Sequence, residues 1–252
     1  MNEVIDCLLK HRSIRKFQDK PIEKDVLDTI LQAGTRAATA GNLQHYSLIV
    51  VDDRVKKRQF WDEDMLDAPT LIIAAVDEYR LKRWFELNGA PFYFNQLANL
   101  MIGYWDAVIA LQNVVVAAES LGLGTVYLGE IISKDMASIL GTPPYVFPAG
   151  CVLVGYPDEN PELRPRLPME AVVHYNGYHL PTDDEIRTWF TQKDARWQAL
   201  SEETRQKFEA QGITTWAQRT TLGHYTDEFL SGESEGVLRN LLAAKFKLSR
   251  EK

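Results

Sequence analysis

NQLANLMIGYWDAVIALQNVVVAAESLGLGTVYLGE, Asn95 to Glu130, is the stretch around which the rest of this chain arranges itself. From Leu97 to Ala118 it is apolar on nearly every face, with Asp106 its only charge, so a helix there is expected to be buried all round. About twenty apolar residues are also enough to cross a bilayer. Against a membrane span stand Asp106 near the middle, Gln112 and Asn113 beyond it, and the lack of Lys or Arg at the flanks. The run therefore reads as a core helix. Its small residues, Ala98, Gly103, Ala107, Ala110, Ala117 and Ala118, let another helix come close, and a second subunit explains them as well as an internal neighbour.

Gly122 can take the left-handed conformation that ends helices, so the helix is expected to stop at Leu121 and a short strand to run from Thr125 to Leu128. The order is helix, turn, strand. A dinucleotide fingerprint needs strand, glycines, helix, and Tyr127 stands where its third glycine belongs, which excludes a Rossmann reading.

Working outward, Val4, Ile5, Leu8 and Leu9 predict an amphipathic helix ending near His11. Lys10, His11, Arg12, Ser13, Ile14, Arg15, Lys16 and Phe17 follow as the densest cationic patch of the chain; a solvated helix end and an anion site account for it equally. Pro21 is expected to open a second helix with Val26, Leu27, Ile30, Leu31 and Ala33 on its apolar face. It leads to Arg36–Gln44, small residues interrupted by Thr39, Asn42 and Gln44, which suit a flat ligand that needs close backbone and amide partners. Ser47–Val51, Thr70–Val76 and Phe147–Val154 read as strands, and Ser133 as the cap of a short helix. The aromatic segment Trp84–Asn95 contains Gly89 and Pro91 and is either a cover over a pocket or a packed corner. In Gly155–Pro168 four prolines forbid a helix and set Arg164 and Arg166 on one side of an extended chain, a spacing suited to clamping a phosphate.

Composition bounds the rest. The chain has 252 residues, 45% hydrophobic and 25% charged, with a net charge of -7 that disfavours nucleic acid and anionic membrane. Cys7 and Cys151 lie far apart in apolar runs and are expected to be free, buried thiols in a reducing compartment. The N-terminus has no signal-peptide pattern, so a cytoplasmic location is expected. No nucleophile elbow, phosphate loop or zinc motif occurs, and His174 and His179 lack a third partner at ligand spacing, so no metal is expected.

Four motifs in register, HRSIRKF at His11–Phe17, AATAGNLQ at Ala37–Gln44, AAESLGLGTVYLGE at Ala117–Glu130 and LRPRLP at Leu163–Pro168, resemble the flavin-dependent nitroreductase family. The resemblance is closest to its oxygen-insensitive NAD(P)H nitroreductases and flavin reductases, and it covers residues 1–178. It implies an α+β fold with a mixed central sheet surrounded by helices, an intertwined homodimer, and FMN at the interface. Residues 1–178 would form the FMN-binding domain and 179–252 a helical extension. By the same resemblance His11, Arg12, Ser13, Arg164 and Arg166 hold the FMN phosphate and Arg15 lies near the ribityl chain and the pyrimidine edge. Thr39, Asn42 and Gln44 read that edge across the interface, while backbone groups of Leu128, Gly129 and Glu130 reach the ring. Two departures stand out: Glu130 where the subgroup has a second glycine, and Trp61 near the place of a flavin-contacting glutamine. The implied reaction is a ping-pong, two-electron transfer from NADPH or NADH, through FMN, to small acceptors such as nitroaromatics, quinones or flavins. Other chemistry on the same fold, reductive dehalogenation or flavin cleavage, and a non-enzymatic flavin binder stay open at this level.

Overall fold

A computed structural model describes residues 2–61, 63–67 and 69–248. Helix α1 (Glu3–Leu9) starts where the Asn2 side chain accepts the N–H of Ile5, satisfying one of the donors a helix start leaves unpaired. Helix α2 (Lys24–Thr35) begins beyond Pro21 rather than at it. The delay has a visible cause: Glu23, its N-cap, is held by the Tyr156 hydroxyl and by Lys20 at 3.0 Å, which keeps the preceding segment out of the helix. Strand β1 (Tyr46–Val51), helix α3 (Arg54–Phe60), strand β2 (Thr70–Asp77) and helix α4 (Tyr79–Leu87) lead to the long helix α5 (Leu97–Ser120). Gly122, at φ 81°, turns the chain into strand β3 (Gly124–Leu128), as the glycine pattern leads one to expect.

A 3₁₀ turn, Gly129–Ser133, precedes helix α6 (Met136–Leu140). Asp135, not Ser133, caps that helix by accepting the Ser138 N–H, because Ser133 is already spent donating to the Glu130 carbonyl. Strand β4 (Val146–Gly155) completes a sheet of order β1-β2-β4-β3. All three pairings are antiparallel. Among the described residues the parallel pairing of the expected mixed sheet is confined to two isolated bridges, Ser13 with Thr125 and Gln96 with Lys247.

The two central strands are buried on both faces, and this is why they read as continuous apolar runs instead of alternating ones. Alternate residues nevertheless serve different layers. Ile72, Ala74, Val152 and Val154 meet α2 and α5, whereas Leu71, Ile73, Ala75, Cys151 and Leu153 face Phe60, Ile131 and Met136. Helix α5 is core on one side only. Leu100, Ala107, Leu111, Val114 and Ala118 are buried within the single chain, whereas Leu97, Met101, Trp105 and Ile109 form an exposed stripe that no element of the described residues covers. Both cysteines are free; Cys151 is buried and its thiol is pushed well up by that burial, while Cys7 is half-buried.

Contacts divide the chain into two compact units, Met1–Glu162 with Glu233–Lys252, and Leu163–Gly232. The second unit holds helices α7 (Asp183–Gln198), α8 (Glu202–Glu209) and α9 (Trp216–Gly223). Each start is capped by a hydroxyl, from Thr182, Ser201 and Thr215. Its small core is Trp197 and Ile213, with Phe208 against Trp197 at 6.1 Å between ring centres. Arg196 and Arg219 stack on Trp216 at 4.2 and 4.7 Å.

Helix α10 (Asp227–Ala244) returns the chain to the first unit. There Asn240 donates to the carbonyls of Ile132 and Lys134 at 2.7 and 2.8 Å. Gly236 lies directly on Ser133, where a Cβ would sit 2.7 Å from the Ser133 carbonyl oxygen. Alanine normally favours a helix by about 1 kcal/mol over glycine. Here a backbone atom must give way, and overpacking of that kind costs about 1–3 kcal/mol. Gly236→Ala is expected to lower stability by about 1 kcal/mol in urea unfolding; an increase would show that α10 is free to move off Ser133.

Candidate functional site

The cationic patch lies along the edge of β3. Ser13 bridges Thr125 in the parallel sense, and the Ile14 N–H donates to the Thr125 carbonyl at 2.8 Å. His11 faces Glu119 near the end of α5, Nδ1 to Oε1 at 2.8 Å, and the Thr125 hydroxyl donates to the same oxygen at 2.6 Å. Arg12 extends to the Asn160 side-chain oxygen at 2.8 Å and the Pro161 carbonyl at 3.1 Å, so neutral acceptors rather than a carboxylate orient its guanidinium. Glu159 takes the backbone N–H groups of Arg15 and Lys16, which holds its carboxyl below the usual carboxylate range. The Arg15 side chain stays exposed. A groove of about 1280 Å³ opens here, with Arg12, Glu119 and Glu159 among its walls. None of Thr39, Asn42, Gln44, Leu128, Gly129 or Glu130 lines it.

The loop before β1 is fastened from below by α5. Thr39 donates its hydroxyl to Asp106 at 2.5 Å and accepts the Gln44 N–H at 2.8 Å, while the Ala40 N–H reaches both Asp106 oxygens at 3.2 Å. Thr39 is therefore the buckle of the loop, and Asn42 and Gln44 are its exposed tips, both at positive φ, 55° and 52°. Left-handed backbone at two non-glycine residues is uncommon and persists only where surroundings enforce it. Arg80 supplies part of that enforcement by donating to the carbonyls of Gln44 and Tyr46 at 2.5 and 3.0 Å. Asp106 and Glu119 are thirteen residues apart on one helix, about 20 Å along its axis. In a single chain the loop and the cationic patch are thus anchored at well-separated points.

At the far end of β3 the strand passes straight into the 3₁₀ turn, and the first N–H groups of a helix have no partner inside it. Gly129 is not in the left-handed region, and a Cβ built there meets nothing within 4 Å. Nothing in this chain demands a glycine at that point. Beside it the two departures from the subgroup pattern meet each other: the Trp61 indole N–H donates to the Glu130 carboxylate at 3.0 Å, with the Lys134 ammonium 5.2 Å from the Trp61 ring centre.

Arg164 and Arg166 lie in the second unit, exposed, with Arg166 Nη1 donating to the Arg164 carbonyl at 3.4 Å. Within Trp84–Asn95, Phe85 lies 5.2 Å from Phe94, Phe92 lies 5.3 Å from Tyr145 and Phe94 stacks on His45 at 5.7 Å, while Trp84, Leu87 and Tyr93 stay exposed. The sequence reading missed Glu119, Glu159, Asn160, Arg80 and the His45–Glu78 pair, and it noted Asp106 only as a lone charge. Asp106 did carry a signal, a single acid inside an apolar run. Glu159 and Asn160 carried none, since their partners are more than a hundred residues away.

The Nitroreductase family profile matches residues 8–156. An NADPH-dependent oxidoreductase of Staphylococcus aureus (strain MSSA476) is 33% identical over 227 residues, 86% of this chain and 88% of its own length. The structure of B. megaterium NfrA2 superposes with a TM-score of 0.82 at 32% identity, covering 99% of this chain and 100% of that one. The NADPH:FMN oxidoreductase from Vibrio harveyi, complexed with NAD+, gives a TM-score of 0.72 at 29% identity over 94% of this chain and 98% of its own. With a family match over more than half its length and relatives similar from end to end, this chain is an oxidoreductase and belongs to the nitroreductase family.

Proposed function

We propose that the protein is an FMN-dependent NAD(P)H oxidoreductase that reduces small acceptors, nitroaromatics, quinones or free flavins, by alternating two half-reactions in one pocket. The observation that carries this reading is the open space over Gly129 at the start of a 3₁₀ turn, a glycine the chain itself does not require. A flat ring can approach backbone N–H groups there. The donor set fits FMN elsewhere too: Arg12 is oriented by neutral acceptors and keeps its charge for a phosphate, with Ser13 and His11 beside it. Arg164 and Arg166 join this reading on sequence grounds alone.

When bound, FMN supplies the hydride and electron transfer itself. The chain would hold and orient it: Arg15 places positive charge near the pyrimidine edge, Leu128 to Glu130 present backbone donors, and the exposed amides of Asn42 and Gln44 read the edge from a second subunit. The roughly 20 Å between the anchors of loop and patch favours that two-subunit arrangement. Names of relatives point to NADPH as the reductant, with NADH as the other candidate. We infer a homodimer in the cytoplasm.

The test is an absorption spectrum of the protein as purified, followed by anaerobic titration with each nicotinamide. About one bound flavin per chain, bleached by NADPH and restored by menadione or nitrofurazone, is the expected result. A colourless protein that takes up no added FMN overturns the proposal.

A further inference from the structure

Next to the open side of Gly129 one acid is held at both its backbone and its side chain. The Glu130 carbonyl accepts the Ser133 hydroxyl at 2.8 Å, and its carboxylate accepts the Trp61 indole N–H at 3.0 Å. Ser133 is itself locked, with Gly236 of α10 lying on it and Asn240 donating to the carbonyls on either side, those of Ile132 and Lys134. Trp61 is constrained as well. It is half-buried against the same core cluster as Leu128 and Ile132, and its backbone N–H reaches the Lys57 carbonyl of α3 at 3.4 Å. Lys57 fixes that helix in turn: it is 2% exposed, and its ammonium donates to the Pro69 and Asp67 carbonyls at 2.6 and 3.2 Å.

The side-chain donor to Glu130 is an indole, which is neutral, so the hydrogen bond orients the negative charge without cancelling it. Lys134, the cation of the same turn, has its ammonium 5.2 Å from the Trp61 ring centre. Glu130 is exposed, and the residue before it is the glycine over which a Cβ would meet nothing within 4 Å. A fixed negative charge therefore stands one residue from space that a flat ring can enter. A like charge on an entering ligand is repelled there.

We propose that Glu130 is a specificity-determining residue and Trp61 its positioning residue: together they favour acceptors whose reacting ring carries no negative charge over anionic acceptors of the same shape. This rests on the reading that flavin and acceptor meet at Gly129. Such selection needs no direct contact, because repulsion between two unit charges several ångströms apart near a protein surface is worth roughly fivefold to tenfold in a rate ratio.

The experiment compares naphthoquinone with naphthoquinone sulfonate as acceptors for the flavin-loaded protein. Each takes two electrons and two protons to become its hydroquinone, NADPH giving up a hydride and solvent the second proton. The measured quantity is the ratio of the two kcat/KM values, in which a general loss of activity cancels. In Glu130→Gln, which keeps an acceptor for the indole but drops the charge, the preference for the neutral quinone should fall about fivefold, and the midpoint potential of the bound flavin should rise. Trp61→Phe should lower the preference part of the way, and should add nothing in the Glu130→Gln background. In the wild-type protein the preference should shrink as salt is raised, which decides the matter even if neither variant folds. A ratio unmoved by Glu130→Gln, a potential that does not rise, or a wild-type preference indifferent to salt overturns the selection while leaving the flavin reading intact. Protein that binds no flavin and reduces neither quinone overturns the functional reading, and the selection with it.

Discussion

Asp106→Ala is expected to destabilise the chain by about 2–4 kcal/mol, the largest loss of any single site-region substitution. The carboxylate is 5% exposed and receives the Thr39 hydroxyl at 2.5 Å and the Ala40 N–H at 3.2 Å. Alanine leaves both donors half-buried without an acceptor, and each unsatisfied donor costs about 1–3 kcal/mol. For a chain of this size each kcal/mol lowers the melting temperature by about 2–4 °C. Thermal unfolding should therefore shift by roughly 5–15 °C. Asp106→Asn is the control, since its amide oxygen still accepts one donor and its loss should be smaller. The damage should also be directional: Thr39 Oγ1 accepts the Gln44 N–H, so releasing the Thr39 hydroxyl from Asp106 loosens both ends of the loop. A melting temperature within a degree or two of wild type would mean that the loop finds other partners.

That Asp106 matters was half legible. An acid alone in an apolar helix has to be satisfied or exposed, and the sequence shows that much. Which groups satisfy it depends on a contact between residues 67 positions apart, about which local pattern is silent. The same division runs through the molecule. The turn at Gly122 and the strands around it follow from local rules of backbone and side-chain preference, and the structure has them where those rules put them. Ser133 misled because its hydroxyl is already given to the Glu130 carbonyl, which leaves Asp135 to cap; α2 instead starts after Glu23, whose side chain makes no capping bond and is held by Tyr156. Hydropathy could not tell the buried face of α5 from its exposed one, because large apolar residues stand on both. Likewise the motif at His11–Arg15 reads equally as a solvated helix end and as an anion site, and its intrachain partners Glu119, Glu159 and Asn160 enter from distant parts of the first unit.

The exposed stripe of α5 leads to the second large effect: with the proposed homodimer and FMN in place, Trp105→Glu should give monomers and release the flavin. Leu97, Met101, Trp105 and Ile109 recur every four residues and are 43%, 45%, 59% and 44% exposed. Four large apolar side chains in a row on a helix that is otherwise core make a continuous patch of the kind that marks an interaction surface. Trp105 is a better probe than a half-buried residue of the same helix such as Val108, which packs partly against the core and would confuse a folding defect with a lost interface. In a twofold dimer the substitution occurs twice, and burying an aromatic side chain is worth about 2 kcal/mol, so the two changes together remove about 4 kcal/mol. At 1.4 kcal/mol per tenfold, the dissociation constant should rise about a thousandfold, from a stable dimer to monomers at micromolar concentration in sedimentation velocity. If Asn42 and Gln44 reach the flavin from the partner subunit, the monomer should also elute colourless. A variant that stays dimeric and fully yellow would place the interface elsewhere; one that is monomeric yet fully yellow would confine the flavin site to a single chain.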